Sequence, residues 1–100
     1  MYPLYSYDLG YISTYSPFNP IEAVYVEVRI NYAANVMLME KDNYSEYRKG
    51  RYYTYYGGYQ TSSPVTFKIP RSEAWVIVID NDGDDMDGIE ATVHIDTYYE

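Results

Sequence analysis

Cysteine is absent from this chain, which excludes disulfides, thiolate metal sites and thiol nucleophiles together. Positive charge is scarce as well. Lysine and arginine number 7 against 15 aspartates and glutamates, a net charge of −8. Every basic residue lies between Arg29 and Arg71, so both ends of the chain carry none. Affinity for long nucleic acid or for an anionic membrane comes from neutralising many phosphates, and so acidic a balance speaks against both partners. No apolar run approaches the ~20 residues that span a bilayer. The opening MYPLYSYDLG has neither a basic start nor an apolar stretch of signal-peptide length. A small domain outside the cell often needs a disulfide staple, so the lack of one points to the cytoplasm. The GxSxG, P-loop, GxGxxG and HExxH patterns are all missing. The expectation is a protein that is not an enzyme and takes no cofactor.

Tyrosine is what the chain has in excess, at 16 of 100 residues. Tyr52, Tyr53, Tyr55, Tyr56 and Tyr59 fall in the single run RYYTYYGGY. Tyrosine joins a large apolar ring to a hydroxyl that donates and accepts hydrogen bonds, so it suits surfaces that are half buried or that hold a partner. Apolar residues make up 47% of the chain, enough for a core, and 100 residues make one domain.

Strand signals dominate. From Ala23 to Ile30, Val24, Val26, Val28 and Ile30 alternate with Tyr25, Glu27 and Arg29, the pattern of a half-buried strand. NYAAN breaks it, Asn35–Met39 resumes it, and the two are expected to form a hairpin. Asp42 is placed to cap a short helix over 42–50, with Gly50 just past its end. Tyr52–Tyr56 reads as extended and stopped by Gly57-Gly58. Val65, Phe67 and Ile69 alternate after Ser63-Pro64. Ala74–Ile79 is almost wholly apolar, which suits a central strand covered on both faces. Ala91, Val93 and Ile95 alternate with Thr92, His94 and Asp96. The expected core is Val24, Val26, Val28, Val65, Phe67, Ile69, Trp75, Ile77, Val93 and Ile95. The expectation is an all-β fold, a single small β-sandwich or partly open barrel of six to seven mostly antiparallel strands with one short helical insertion. It spans 1–100, with an N-terminal strand and Pro-rich loop over 1–20 and an acidic hairpin loop over 80–90.

Several short signatures occur in a set order: YDLG (7–10), NVMLM (35–39), NYSEYRKGRYYTYYGG (43–58), SPVTFKIP (63–70) and WVIVID (75–80). Together they resemble the uncharacterised bacterial family catalogued as domain of unknown function 1883. The resemblance covers most of the chain, and its most specific piece is the tyrosine block ending in YYGG, followed by SPV and a tryptophan strand. It implies an all-β domain and offers no catalytic residues to carry over. After Ile79 the family tends to have a short turn with glycine, where this chain has NDGDDMDG.

Four groups of residues are candidates for chemistry. Asp80, Asp82 and Asp84 copy positions 1, 3 and 5 of an EF-hand loop. Asp85 then stands where the turn glycine belongs and Ala91 where the bidentate glutamate belongs, so a solvated loop is the simpler reading of this weak metal candidate. His94 is a lone histidine on the outer face, which it shares with Asp96; a catalytic base also needs a nucleophile or substrate within reach, so an inert surface histidine is the simpler reading. Gly57 and Gly58 read as a turn or bulge needing positive φ, with close approach to a ligand as the alternative. The tyrosine block with Arg48, Lys49 and Arg51 is the fourth. Tyr52 and Tyr53 cannot both point inward from one strand, and neither can Tyr55 and Tyr56. Some rings must face out. Exposed Tyr53, Tyr55, Tyr56 and Tyr59 beside Arg48, Arg51, Gly57 and Gly58 are the expected contact surface for a protein partner or for self-association. The alternative is a small anionic ligand, a nucleotide or nucleotide-derived signal, with the tyrosines stacking and Arg48 and Arg51 on phosphate.

Overall fold

The computed structural model describes residues 5–18, 20–80 and 90–99. Among these residues seven strands and one helix follow in order: β1 Tyr5–Ile12, β2 Ile21–Ile30, β3 Ala34–Glu40, α1 Lys41–Arg48, β4 Tyr56–Gln60, β5 Val65–Lys68, β6 Glu73–Asp80 and β7 Ala91–Tyr99. Four strands form one sheet in the order β1-β6-β3-β4, and three form a second in the order β5-β2-β7. All pairings are antiparallel. The sheets share one apolar core and leave their edges open, so this is a β-sandwich and not a closed barrel.

The period-2 alternation read from the sequence decides which side chains meet there. Val24, Val26 and Val28 of β2 face Val36 and Leu38 of β3 and Trp75, Ile77 and Ile79 of β6, with Phe67, Ile69 and Ile12 closing the cluster. Strand β6 is buried along most of its length because its other face is covered too. Val76 and Val78 pack with Met37 and Met39 under Tyr47 of α1 and the half-buried Tyr44 and Tyr53. The run Ala74–Ile79 is thus the central, doubly covered strand that its apolar composition implies.

Several expectations need correction. Strands β2 and β3 do not form a hairpin, since they belong to different sheets. Residues 36–39 are apolar on both faces, so β3 needs a neighbour on each side and a cover outside. It finds β4, β6 and α1. Strands β6 and β7 also lie in different sheets, and residues 81–89 of the expected acidic loop lie outside the described residues. The cap of helix α1 lies two residues earlier than expected. Glu40 holds the N-cap position without a side-chain bond, and Asp42 sits in the first turn, where its charge still favours the helix dipole. Gly50 does end the helix, at φ +72°. Its N–H reaches Tyr47 O at 3.1 Å and the Arg51 N–H reaches Glu46 O at 2.9 Å, the bond pair of a Schellman motif.

Ile95 is 40% exposed although the core was expected to hold it. Its side chain keeps the inward phase that the alternation implies, for it lies opposite Val26 in the ladder. β7 is the outer strand of the smaller sheet, and the opposing sheet does not reach over it there. Val65 and Val93 are half-buried for the same reason, one on each edge of that sheet. Tyr52–Tyr55 is not a strand. The extended piece is Tyr56–Gln60, with Gly57-Gly58 inside it.

Candidate functional site

The tyrosine block crosses the outer face of the larger sheet before it enters that sheet. The Thr54 N–H donates to Asn43 Oδ1 at 3.0 Å, which pins the segment after α1 back onto the helix. Rings then follow one another. Tyr44 lies 6.4 Å from Tyr47, Tyr47 lies 5.0 Å from Tyr53 in a T-shaped pair, and Tyr53 lies 5.6 Å from Tyr55. Edge-to-face and offset pairs of this kind stabilise by about 0.5–1.5 kcal/mol beyond the area they bury. This ring packing and the Asn43 bond, in place of a backbone ladder, hold residues 53–55. Beneath it, the Tyr47 hydroxyl donates to the buried Asp80 carboxylate.

At Tyr56 the chain joins β3 as the edge strand β4, with Tyr56 opposite Leu38 and Tyr59 opposite Asn35. Gly57 allows this close pairing. A Cβ at that position would lie 2.3 Å from the Val36 carbonyl oxygen and 3.0 Å from the Phe67 ring, and φ is +104°. Its role is therefore backbone approach within the sandwich. The rings that face solvent are Tyr52 at 88%, Tyr59 at 62%, Tyr55 at 46% and Tyr56 at 45% exposed.

Tyr53, Tyr55, Tyr56, Gly57, Gly58 and Tyr59 are thus contiguous, but Arg48 and Arg51 stand apart from them. The Arg48 guanidinium sits 5.9 Å above the Tyr44 ring. Arg51 and Lys49 both turn to Glu46, at 3.8 Å and 3.9 Å. The basic residue that does join the tyrosines is Arg71, from the turn before β6. It forms an ion pair with Glu40, its guanidinium lies 5.3 Å from the Trp75 ring centre, and its Nη1 donates to the Tyr56 hydroxyl at 3.4 Å. A cleft of about 240 Å³ opens here, lined by Met39, Glu40, Asn43, Thr54, Tyr55, Tyr56, Arg71 and Trp75. Sequence reasoning missed Arg71. The available signal was its place four residues before the lone tryptophan, which says little without the fold.

The remaining candidates are dispersed. Asp80 is buried on Tyr47, and Asp82 and Asp84 lie outside the described residues. Among the described residues no three His, Asp or Glu side chains are grouped to hold a metal ion. His94 Nε2 lies 2.8 Å from Asp96 Oδ1 on the exposed face of the smaller sheet. At the far side of the larger sheet, the Asp8 carboxylate accepts the Gly10 N–H at 2.9 Å and meets Lys41 Nζ at 3.1 Å. These two contacts, the backbone bond first, hold its pKa below the ordinary aspartate value.

Comparison with known families bears on the same segments. The family model described as domain of unknown function DUF1883 matches residues 19–96. The chain belongs to that family. The match spans β2 to most of β7, so the tyrosine block, the Arg71 cleft and the sandwich core apart from β1 fall within the DUF1883 region. No curated protein and no solved structure matches the chain. No helix among the described residues is long and apolar enough to cross a membrane.

Proposed function

We propose that this DUF1883 domain is a non-enzymatic binding module that contacts a protein partner, a second copy of itself included, through the tyrosine segment 52–59. The observation that carries the reading is the exposure of Tyr52 and Tyr59, at 88% and 62%, on an edge strand and its approach. Each ring left in water forgoes roughly 25 cal/mol per Å² of burial. Tyrosine is among the residues enriched at interface centres, because it brings large area with few rotatable bonds. Open sheet edges also invite a neighbour.

Sedimentation velocity across a wide concentration range tests the proposal. Self-association is expected, and Tyr52→Ala or Tyr59→Ala weakens it by more than about 1 kcal/mol. Arg48→Ala with Arg51→Ala leaves it nearly unchanged in moderate salt, since both side chains are exposed and engaged within α1. Copies of a chain with charge −8 repel one another, so added salt strengthens the association. A strict monomer at high concentration would refute self-association through this face.

A further inference from the structure

The cleft beside Trp75 has a construction that the tyrosine surface does not need. Arg71 is fixed at both ends: the Trp75 ring lies against its guanidinium, and the Trp75 indole N–H donates to its backbone carbonyl at 3.1 Å. Glu40, the ladder partner of Trp75, neutralises it. The cleft therefore carries a donor and an acceptor side by side with no net charge between them. Asn43 uses its oxygen on the Thr54 N–H, which leaves its NH₂ group to donate, and Thr54 adds a hydroxyl. Two half-exposed rings, Tyr55 and Tyr56, complete the lining.

This set of groups selects a ligand class. A nucleotide phosphate would have to displace Glu40 from Arg71 and approach a chain of charge −8. A hydroxyl needs neither, because it accepts from Arg71 and donates to Glu40 at once. The negative face of a tyrosine ring favours the positive C–H edge of a saturated ring. The volume, about 240 Å³, falls below the ~300–1,000 Å³ of sites for drug-sized ligands, so it suits one ring. We infer that the cleft formed by Glu40, Arg71, Asn43, Thr54, Tyr55 and Tyr56 binds a single uncharged, hydroxyl-rich ring, a pyranose sugar unit. Glu40 and Arg71 take adjacent hydroxyls, and Tyr55 and Tyr56 flank the ring.

Trp75 is the lone tryptophan and lines the cleft, so its fluorescence and its indole N–H resonance report on occupancy. Methyl glucopyranoside, methyl galactopyranoside and methyl mannopyranoside are titrated into the full chain, with adenosine monophosphate alongside. At least one glycoside is expected to saturate in the millimolar range, shifting the Trp75 indole and the Thr54 amide, with an affinity that salt does not change. Tyr55→Ala, at a half-exposed site, weakens it by on the order of tenfold, or about 1.4 kcal/mol. Arg71→Lys, which keeps the charge and loses the planar fork, weakens it as well. Tyr59→Ala leaves it unchanged, since that ring lies outside the cleft, so loss of glycoside binding and loss of self-association are distinguished. The inference is overturned if none of the three glycosides gives a saturable shift. It is equally overturned if adenosine monophosphate alone binds, with an affinity that falls as salt rises.

Discussion

Gly57 and Asp8 show how single residues hold the edges of this sandwich. Gly57→Ala would place a methyl group against the Val36 carbonyl, a backbone atom that can move only if β4 draws away from β3. The left-handed φ adds strain of its own. Gly58 also has a positive φ, +148°, but open space where its Cβ would stand. Gly57→Ala is thus expected to cost about 1–3 kcal/mol and Gly58→Ala less. Denaturant unfolding decides, and equal losses would mean that the tight approach to Val36 has no energetic weight. Asp8 gives the fold a dependence on pH. Its folded pKa is depressed, so its contribution is fully present above the ordinary aspartate value and fades as pH falls through the folded one. NMR titration of the carboxyl should find it below the ordinary range. Lys41→Met should raise it only part of the way, since the Gly10 N–H, the larger cause, remains. A titration at the ordinary value would contradict the geometry of both contacts.

Among the elements, β7 tests the register most directly. Ile95 and Val26 are ladder partners, yet Val26 is fully buried and Ile95 is 40% exposed. Ile95→Thr should therefore change stability by no more than about 0.5 kcal/mol, whereas Val26→Ala should cost about 2 kcal/mol or more. Comparable losses at the two sites would show that β7 is covered more deeply than its edge position allows. The same pair shows what the sequence made legible. Alternation placed both residues on the inner phase, because side-chain direction follows from local geometry. It could not tell a central strand from an edge strand, because that depends on what lies opposite. Helix α1 divides in the same way. Gly50 marked its end, since few residues tolerate the left-handed cap, but its start at Lys41 was displaced because Asp42 favours the first turn nearly as well as the cap. Within the candidate site, the run 52–59 announced itself by composition. Arg71 did not, since its partners Glu40, Tyr56 and Trp75 are brought to it only by the pairing of β3 with β4 and β6.

For the whole molecule, the pairing order has a consequence in time. β1 pairs with β6, β2 with β5 and β7, and β3 with β6. Among the described strands only β3 and β4 are partners that follow one another, and α1 separates them. Almost no ladder can therefore close locally. A chain leaving the ribosome would expose β1 and β2 with their apolar faces unmet until much of the sequence had followed. Loop closure over such distances costs entropy before any contact offsets it. Refolding followed through Trp75, which is buried between the sheets, is expected to take milliseconds to seconds, the range of sandwiches with non-local pairing. A microsecond rate would indicate that a local nucleus, with α1 and the tyrosine rings above it as the nearest candidate, organises the sheets before their distant partners arrive.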